Sequence, residues 1–176
     1  MSEVSDNLHF WEATPRDVKR FALAAEVAGR IVASNERWTT FVPLEDDAGT
    51  SILLAAPVLG LRWTYFEDFG LGLAFFDAGA ELGRLELGWQ DAPLSPVLPN
   101  LMEVLRNKGV TDSFASLEQL ARAVSAGTCA PRLVRDRAAA LLGLPAYEWL
   151  SPRYCRDTPL DEIQRLYPNA EDLDEL

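Results

Sequence analysis

The side chains that could do chemistry in this chain are few and scattered. His9 is the only histidine. A catalytic triad, a histidine base or a histidine metal site would have to use it. It stands beside Phe10 and Trp11 with no partner at a diagnostic spacing. Cys129 and Cys155 lie 26 residues apart, and no C-x-x-C occurs. With one histidine they leave a structural zinc site one ligand short unless a carboxylate completes it. Cys129 reads as a small packed apolar group, and both cysteines are expected to be free thiols of a reducing compartment. The densest carboxylates outside the C-terminal tail are Glu45-Asp46-Asp47 and Glu67-Asp68. Such pairs can bind magnesium or share a proton. Both fall where turns are predicted, and there Asp is solvated or bonds local backbone. Gly70-Leu71-Gly72 sits between two predicted strands, whereas a phosphate loop opens onto a helix N-terminus. No serine lies in a G-x-S-x-G elbow. These residues assign no catalytic, cofactor-binding or metal-ligating role.

Two other groups of residues point to binding. Trp38, Phe41, Trp63, Tyr65, Phe66, Phe69, Phe75, Phe76 and Trp89 fall close together in the chain. A sheet core needs about half of them. If helices cover only one sheet face, Phe66 and Phe76 form an exposed apolar strip flanked by Arg62 and Arg84. Aromatics and arginine are the usual anchors of protein interfaces. Separately, Ser116–Leu144 has the outline of a helix-turn-helix, with Arg132, Arg135 and Arg137 as candidate DNA contacts. Two capped helices with a short turn are also the commonest helical hairpin.

The elements that must position these residues follow from periodicity and punctuation. Thr14-Pro15-Arg16-Asp17 is a helix start, with Thr at the N-cap and Pro in the first turn. Val18, Phe21, Ala22, Ala25, Ala28 and Val32 then recur at helical spacing, predicting a helix from about Pro15 to Ala33. Five strands are predicted next, at Trp38–Val42, Ser51–Ala56, Leu61–Glu67, Leu71–Asp77 and Glu81–Trp89. Their connections are too short for helical crossovers, so sequential neighbours should pair as an antiparallel meander. Asp91–Asn100, with Pro93, Pro96 and Pro99, is the candidate linker. Beyond it the chain reads helical: Asn100–Lys108 stopped by Gly109, a capping box at Ser116 opening a helix to about Ser125, and Pro131–Leu142 ended by Gly143. A last helix should start at Thr158-Pro159-Leu160-Asp161 and end near Tyr167. The acidic tail from Glu171 is expected to fray.

The 176 residues carry a net charge of -11. Residues 1–105 contribute -9, residues 106–137 contribute +3 and residues 138–176 contribute -5. A chain this acidic is repelled by nucleic acid and by anionic membrane. No apolar run approaches the roughly 20 residues that span a bilayer, and the polar start of the chain lacks the features of a signal peptide. The basic residues are nearly all arginine, which suggests a GC-rich bacterial genome. The expectation is therefore a bacterial, cytoplasmic α+β protein. Residues 1–92 would form a helix-on-meander sheet domain of about five strands, and residues 93–176 a helical region packed on it. The leading expectation for function is a non-enzymatic protein that binds a partner through an acidic, aromatic-bearing surface, for instance an immunity-type neutraliser of a basic protein. A transcriptional regulator using residues 116–142 is the alternative. A carboxylate enzyme built on Glu67 and Asp68 comes third.

Overall fold

The computed structural model describes residues 4–88, 104–109 and 131–173, together with Ser116, Gln119, Leu120, Arg122, Ala123 and Ala126. The predicted linker, Trp89, residues 127–130 between the two helices of the helix-turn-helix outline, Cys129 among them, and the last three residues of the tail lie outside the described residues.

The protein is α+β, with a seven-stranded antiparallel sheet in the order β6-β5-β4-β1-β3-β2-β7. The strands are β1 (Val4–Trp11), β2 (Gly29–Ser34), β3 (Trp38–Pro43), β4 (Gly60–Phe66), β5 (Gly70–Asp77), β6 (Ala80–Gly88) and β7 (Glu171–Asp172). Helices α1 (Pro15–Ala24) and α2 (Gly49–Ala55) pack on one face. The other face meets α3 (Pro131–Leu142), α4 (Pro152–Asp157) and α5 (Leu160–Leu166).

Helix α1 begins where its cap chemistry dictates. Thr14 Oγ1 accepts from the Asp17 backbone N–H at 3.2 Å, and Asp17 Oδ2 accepts from the Thr14 N–H at 3.0 Å. It ends at Ala24, well short of Ala33, because Glu26 turns into positive φ and the chain re-enters the sheet as β2. The run from Val27 to Ala33 suits either period, and pairing with β3 decides it. Gly29 permits this pairing, since a Cβ there would run into the Phe41 ring and the Val42 carbonyl.

Ser51–Ala56, expected as a strand, is instead almost wholly within helix α2. Ile52, Leu53 and Ala56 are all fully buried, and their i, i+1, i+4 spacing suits one helical face. That helix carries the chain from β3 over to β4, so these two strands are not neighbours. Strand β1 lies between them, pairing antiparallel with both. The meander of sequential neighbours therefore holds only for β4, β5 and β6.

Strand β1 is buried on both faces. Leu8 and Phe10 point toward α1 and α2, while Ser5, Asn7, His9 and Trp11 point the other way and are also buried. On that second face lies the largest core, where Trp11, Trp38, Trp63, Tyr65, Leu73 and Phe75 meet Val134, Ala138 and Leu142 of α3. The Trp38 indole N–H donates to the Leu142 carbonyl at 2.8 Å and so ties the end of α3 to the sheet. A third cluster joins Val32 and Val42 to Leu150, Cys155 and Ile163.

Two features appear near the C-terminus that the sequence does not announce. Helix α4 is capped by Ser151, whose Oγ accepts from the Tyr154 N–H at 3.2 Å. Strand β7 adds an edge to β2, and Arg30 fixes it by pairing with Asp172 at 2.5 Å and donating to the Thr158 carbonyl at 2.7 Å. Helix α5 begins after Pro159 rather than being capped by Thr158.

Candidate interaction surface

The residues singled out on the sheet come together on the half of the α1/α2 face that helices leave uncovered. Arg62 on β4, Ala74 on β5 and Arg84 on β6 are register partners and form one row across three strands. Thr64, Gly72 and Glu86 form the next. The small side chains of β5 make the floor of a trough of about 260 Å³, walled by Arg62 and Thr64 on one side and Arg84 and Glu86 on the other. Phe76 closes one end. It is only 3 % exposed, because it packs under α2 in the cluster that holds Ile52 and Leu53. The expected exposed strip therefore keeps Phe66, which is 43 % exposed, and not Phe76.

Both arginines of the trough are held by carboxylates. Arg62 grips Asp6 in a bidentate pair at 3.0 and 2.8 Å. That bond to Asp6 holds the guanidinium pKa above its ordinary value. Arg84 makes the same arrangement with Glu81 at 2.8 and 2.9 Å, with the same effect, and Glu86 lies 3.6 Å away. Asp47 adds a further negative charge near Arg62. Glu81 and Glu86 thus line the trough with the two guanidinium groups, and Asp6 and Asp47 lie beside Arg62.

A second surface begins where the first ends. Val4 is the register partner of Phe66 and is itself partly exposed. It lines a groove of about 370 Å³ with Trp149, Tyr154 and Arg153. The Trp149 side chain is 43 % exposed although its backbone sits at φ +57. A bulky residue rarely adopts that region. The cause is visible on both sides of it. Asn7 Nδ2 donates to the carbonyls of Tyr147 and Leu150 at 3.3 and 3.1 Å, and the Asp6 N–H donates to Leu150 O at 2.8 Å. This bond takes up a β1 N–H beyond the last register pair that β1 makes with β3. Leu150 is fully buried and Ser151 caps α4. The chain on either side of Trp149 is tied, and the indole is turned outward.

On its other flank Trp149 lines a second groove, of about 260 Å³, with Glu148, Tyr154, Leu166 and Tyr167. Burial pushes the Tyr167 phenol up to about 12, and the charge of Glu148 adds to the shift. Leu166 is 68 % exposed at the rim. None of these residues was singled out from the sequence. The available signal was the density of aromatics in Tyr147, Trp149, Tyr154 and Tyr167 within a segment of short helices.

The candidate DNA contacts do not share a surface. Arg135 is 6 % exposed. Its guanidinium lies over the Tyr65 and Tyr147 rings, at 5.3 and 5.7 Å, and pairs with Asp136 at 2.6 Å and Glu148 at 3.2 Å. Arg132 pairs with Glu67 at 2.6 Å across to the sheet. Arg137 is exposed. Glu67 of the carboxylate pair is thereby held in an ion pair.

His9 is fully buried, and burial lowers its pKa to about 3. It is neutral, with Nδ1 sharing a 3.0 Å hydrogen bond with Thr40 Oγ1 and the ring edge-on to Trp38. Cys155 is a free, fully buried thiol, pushed up to about 12 by desolvation. Among the described residues no three His, Cys, Asp or Glu side chains gather as metal ligands. No helix among them is long and apolar enough to cross a membrane. No protein-family model, curated protein or solved structure matches this chain.

Proposed function

We propose that this protein is a non-enzymatic, cytoplasmic binding protein that engages a basic protein partner through the surface running from Phe66 past Val4 to Trp149. The observation that carries the reading is Trp149, an exposed indole on a backbone at φ +57 whose flanking residues are tied to β1 and α4. The left-handed conformation costs an L-residue roughly 1–2 kcal/mol. Such strain persists where the surroundings over-determine it, and it gathers at functional sites. A rigid, outward Trp next to Tyr154 and Arg153 is the kind of anchor that dominates protein interfaces.

The charge supports the choice of partner. A net charge of -11 raises the encounter rate with a cationic protein and repels nucleic acid. Neutralising a basic toxin, as an immunity protein does, is one concrete form of this function. A DNA-reading role for α3 has less support, because Arg135 faces inward and Arg132 is engaged by Glu67.

Capture on the immobilised full chain tests the reading. Wild type should retain a basic protein that raised salt releases. Trp149→Ala and Phe66→Ser should lose it, while Leu23→Ser, at an exposed position of α1, should keep it. Equal capture by all four proteins would refute the surface.

A further inference from the structure

We infer that the groove between Trp149 and Tyr167 is a subsite for the guanidinium of an arginine side chain on that basic partner, an inference that rests on the reading above. The groove is walled by Trp149, Tyr154 and Tyr167, bounded by Leu166 and supplied with one carboxylate, Glu148. Among the described residues no basic side chain lines it. Aromatic faces and a carboxylate are the chemistry that holds a flat cation, through the negative ring faces and through charge-assisted hydrogen bonds.

Three observations narrow the guest to an arginine. The first is size. At about 260 Å³ the groove falls below the usual ~300–1,000 Å³ of cofactor and drug-sized sites, so it suits the head of one side chain. The second is the neighbouring groove, which contains Arg153 and Asp157 and so already holds a guanidinium of its own. The third lies inside the fold. On the inner side of Glu148, Arg135 sits over two tyrosine rings and against the same carboxylate, at 3.2 Å. The outer groove repeats that set of groups around the exposed half of Glu148, whose side chain is 49 % accessible. Asp136 neutralises Arg135 at 2.6 Å, which leaves Glu148 able to serve a second cation. The surroundings agree in sign, since residues 138–173 carry six carboxylates against three arginines.

Titration of the full-length protein with N-acetyl-arginine amide, followed by the indole N–H resonance of Trp149, tests the subsite. The neutral isostere N-acetyl-citrulline amide is the control, and the resonance is assigned by its loss in Trp149→Phe. The arginine derivative should shift it saturably and bind about tenfold more tightly than the citrulline derivative. Glu148→Gln should abolish that preference. Because Glu148 also supports Arg135, Leu166→Lys provides a second test, placing a repelling cation at an exposed rim position that leaves the core alone. No saturable shift, equal binding of the two derivatives, or an unchanged preference in folded Leu166→Lys would overturn the subsite. Those results would leave the partner surface standing if Trp149→Ala still loses the captured protein.

Discussion

The strain at Trp149 gives a prediction of unusual sign. Replacing Trp149 by Ala and by Gly removes the same indole, so the two variants share the loss of its packing. They differ in whether a Cβ is held at φ +57. At an ordinary position Gly is the less stable of the two by about 0.4–1 kcal/mol, because it releases more entropy on unfolding. Here the Cβ itself costs roughly 1–2 kcal/mol. The difference leaves Trp149→Gly more stable than Trp149→Ala, by about 1 kcal/mol. The inversion depends on the backbone staying tied by Asn7, Asp6 and Ser151 after the indole is gone. Urea unfolding of the pair, with equal m-values, measures it directly. Gly falling below Ala by the ordinary margin would show that the chain relaxes out of the left-handed region. The claim that the indole is held outward by the fold would then be lost.

Three further outcomes follow from the same geometry. Asn7→Ala should cost about 1–3 kcal/mol by removing the donor to the Tyr147 carbonyl and one of the two donors to the Leu150 carbonyl, which keeps the Asp6 N–H; amide exchange of residues 147–151 should accelerate, and unchanged exchange would count against the clamp. The unfolded chain takes up a proton that buried His9 refuses, so stability should be complete above pH 6.5 and fall as pH drops toward about 3. Between those limits wild type should lose roughly 1.4 kcal/mol per pH unit more than His9→Gln, and parallel pH profiles would refute it. Thr14→Ala removes the cap of α1 and should cost about 1 kcal/mol in thermal or urea unfolding, whereas no change would mean the box is idle.

What could be read from the sequence was what is decided locally. The start of α1 rests on four consecutive residues, and the β4–β6 meander rests on alternation and tight turns. The row of Arg62 and Arg84 follows from that alternation. Strand β1 hides because its second buried face carries Ser5, Asn7 and His9, so a fully buried strand reads as half polar. Its insertion between β3 and β4 is a long-range choice, made possible once residues 49–55 become a crossover helix. That same helix covers Phe76, so its misassignment as a strand carried an error into the candidate surface. Trp149 was illegible for a related reason. Its exposure depends on a backbone conformation enforced by Asp6 and Asn7, from the opposite end of the chain.

The two sides of the sheet end differently. Strand β7 is two residues long and offers almost no template to another chain. Strand β6 spans nine residues, and among the described residues nothing pairs with its outer side. A long free edge invites strand-by-strand growth into aggregates. Here β6 carries Glu81, Arg84 and Glu86 on its open face, and the register shift at Phe75/Phe76 bends it near Leu82. Charges and bulges are the devices by which natural sheets discourage such growth. The ion pairs beside the trough therefore protect the open edge of the sheet whatever the protein binds.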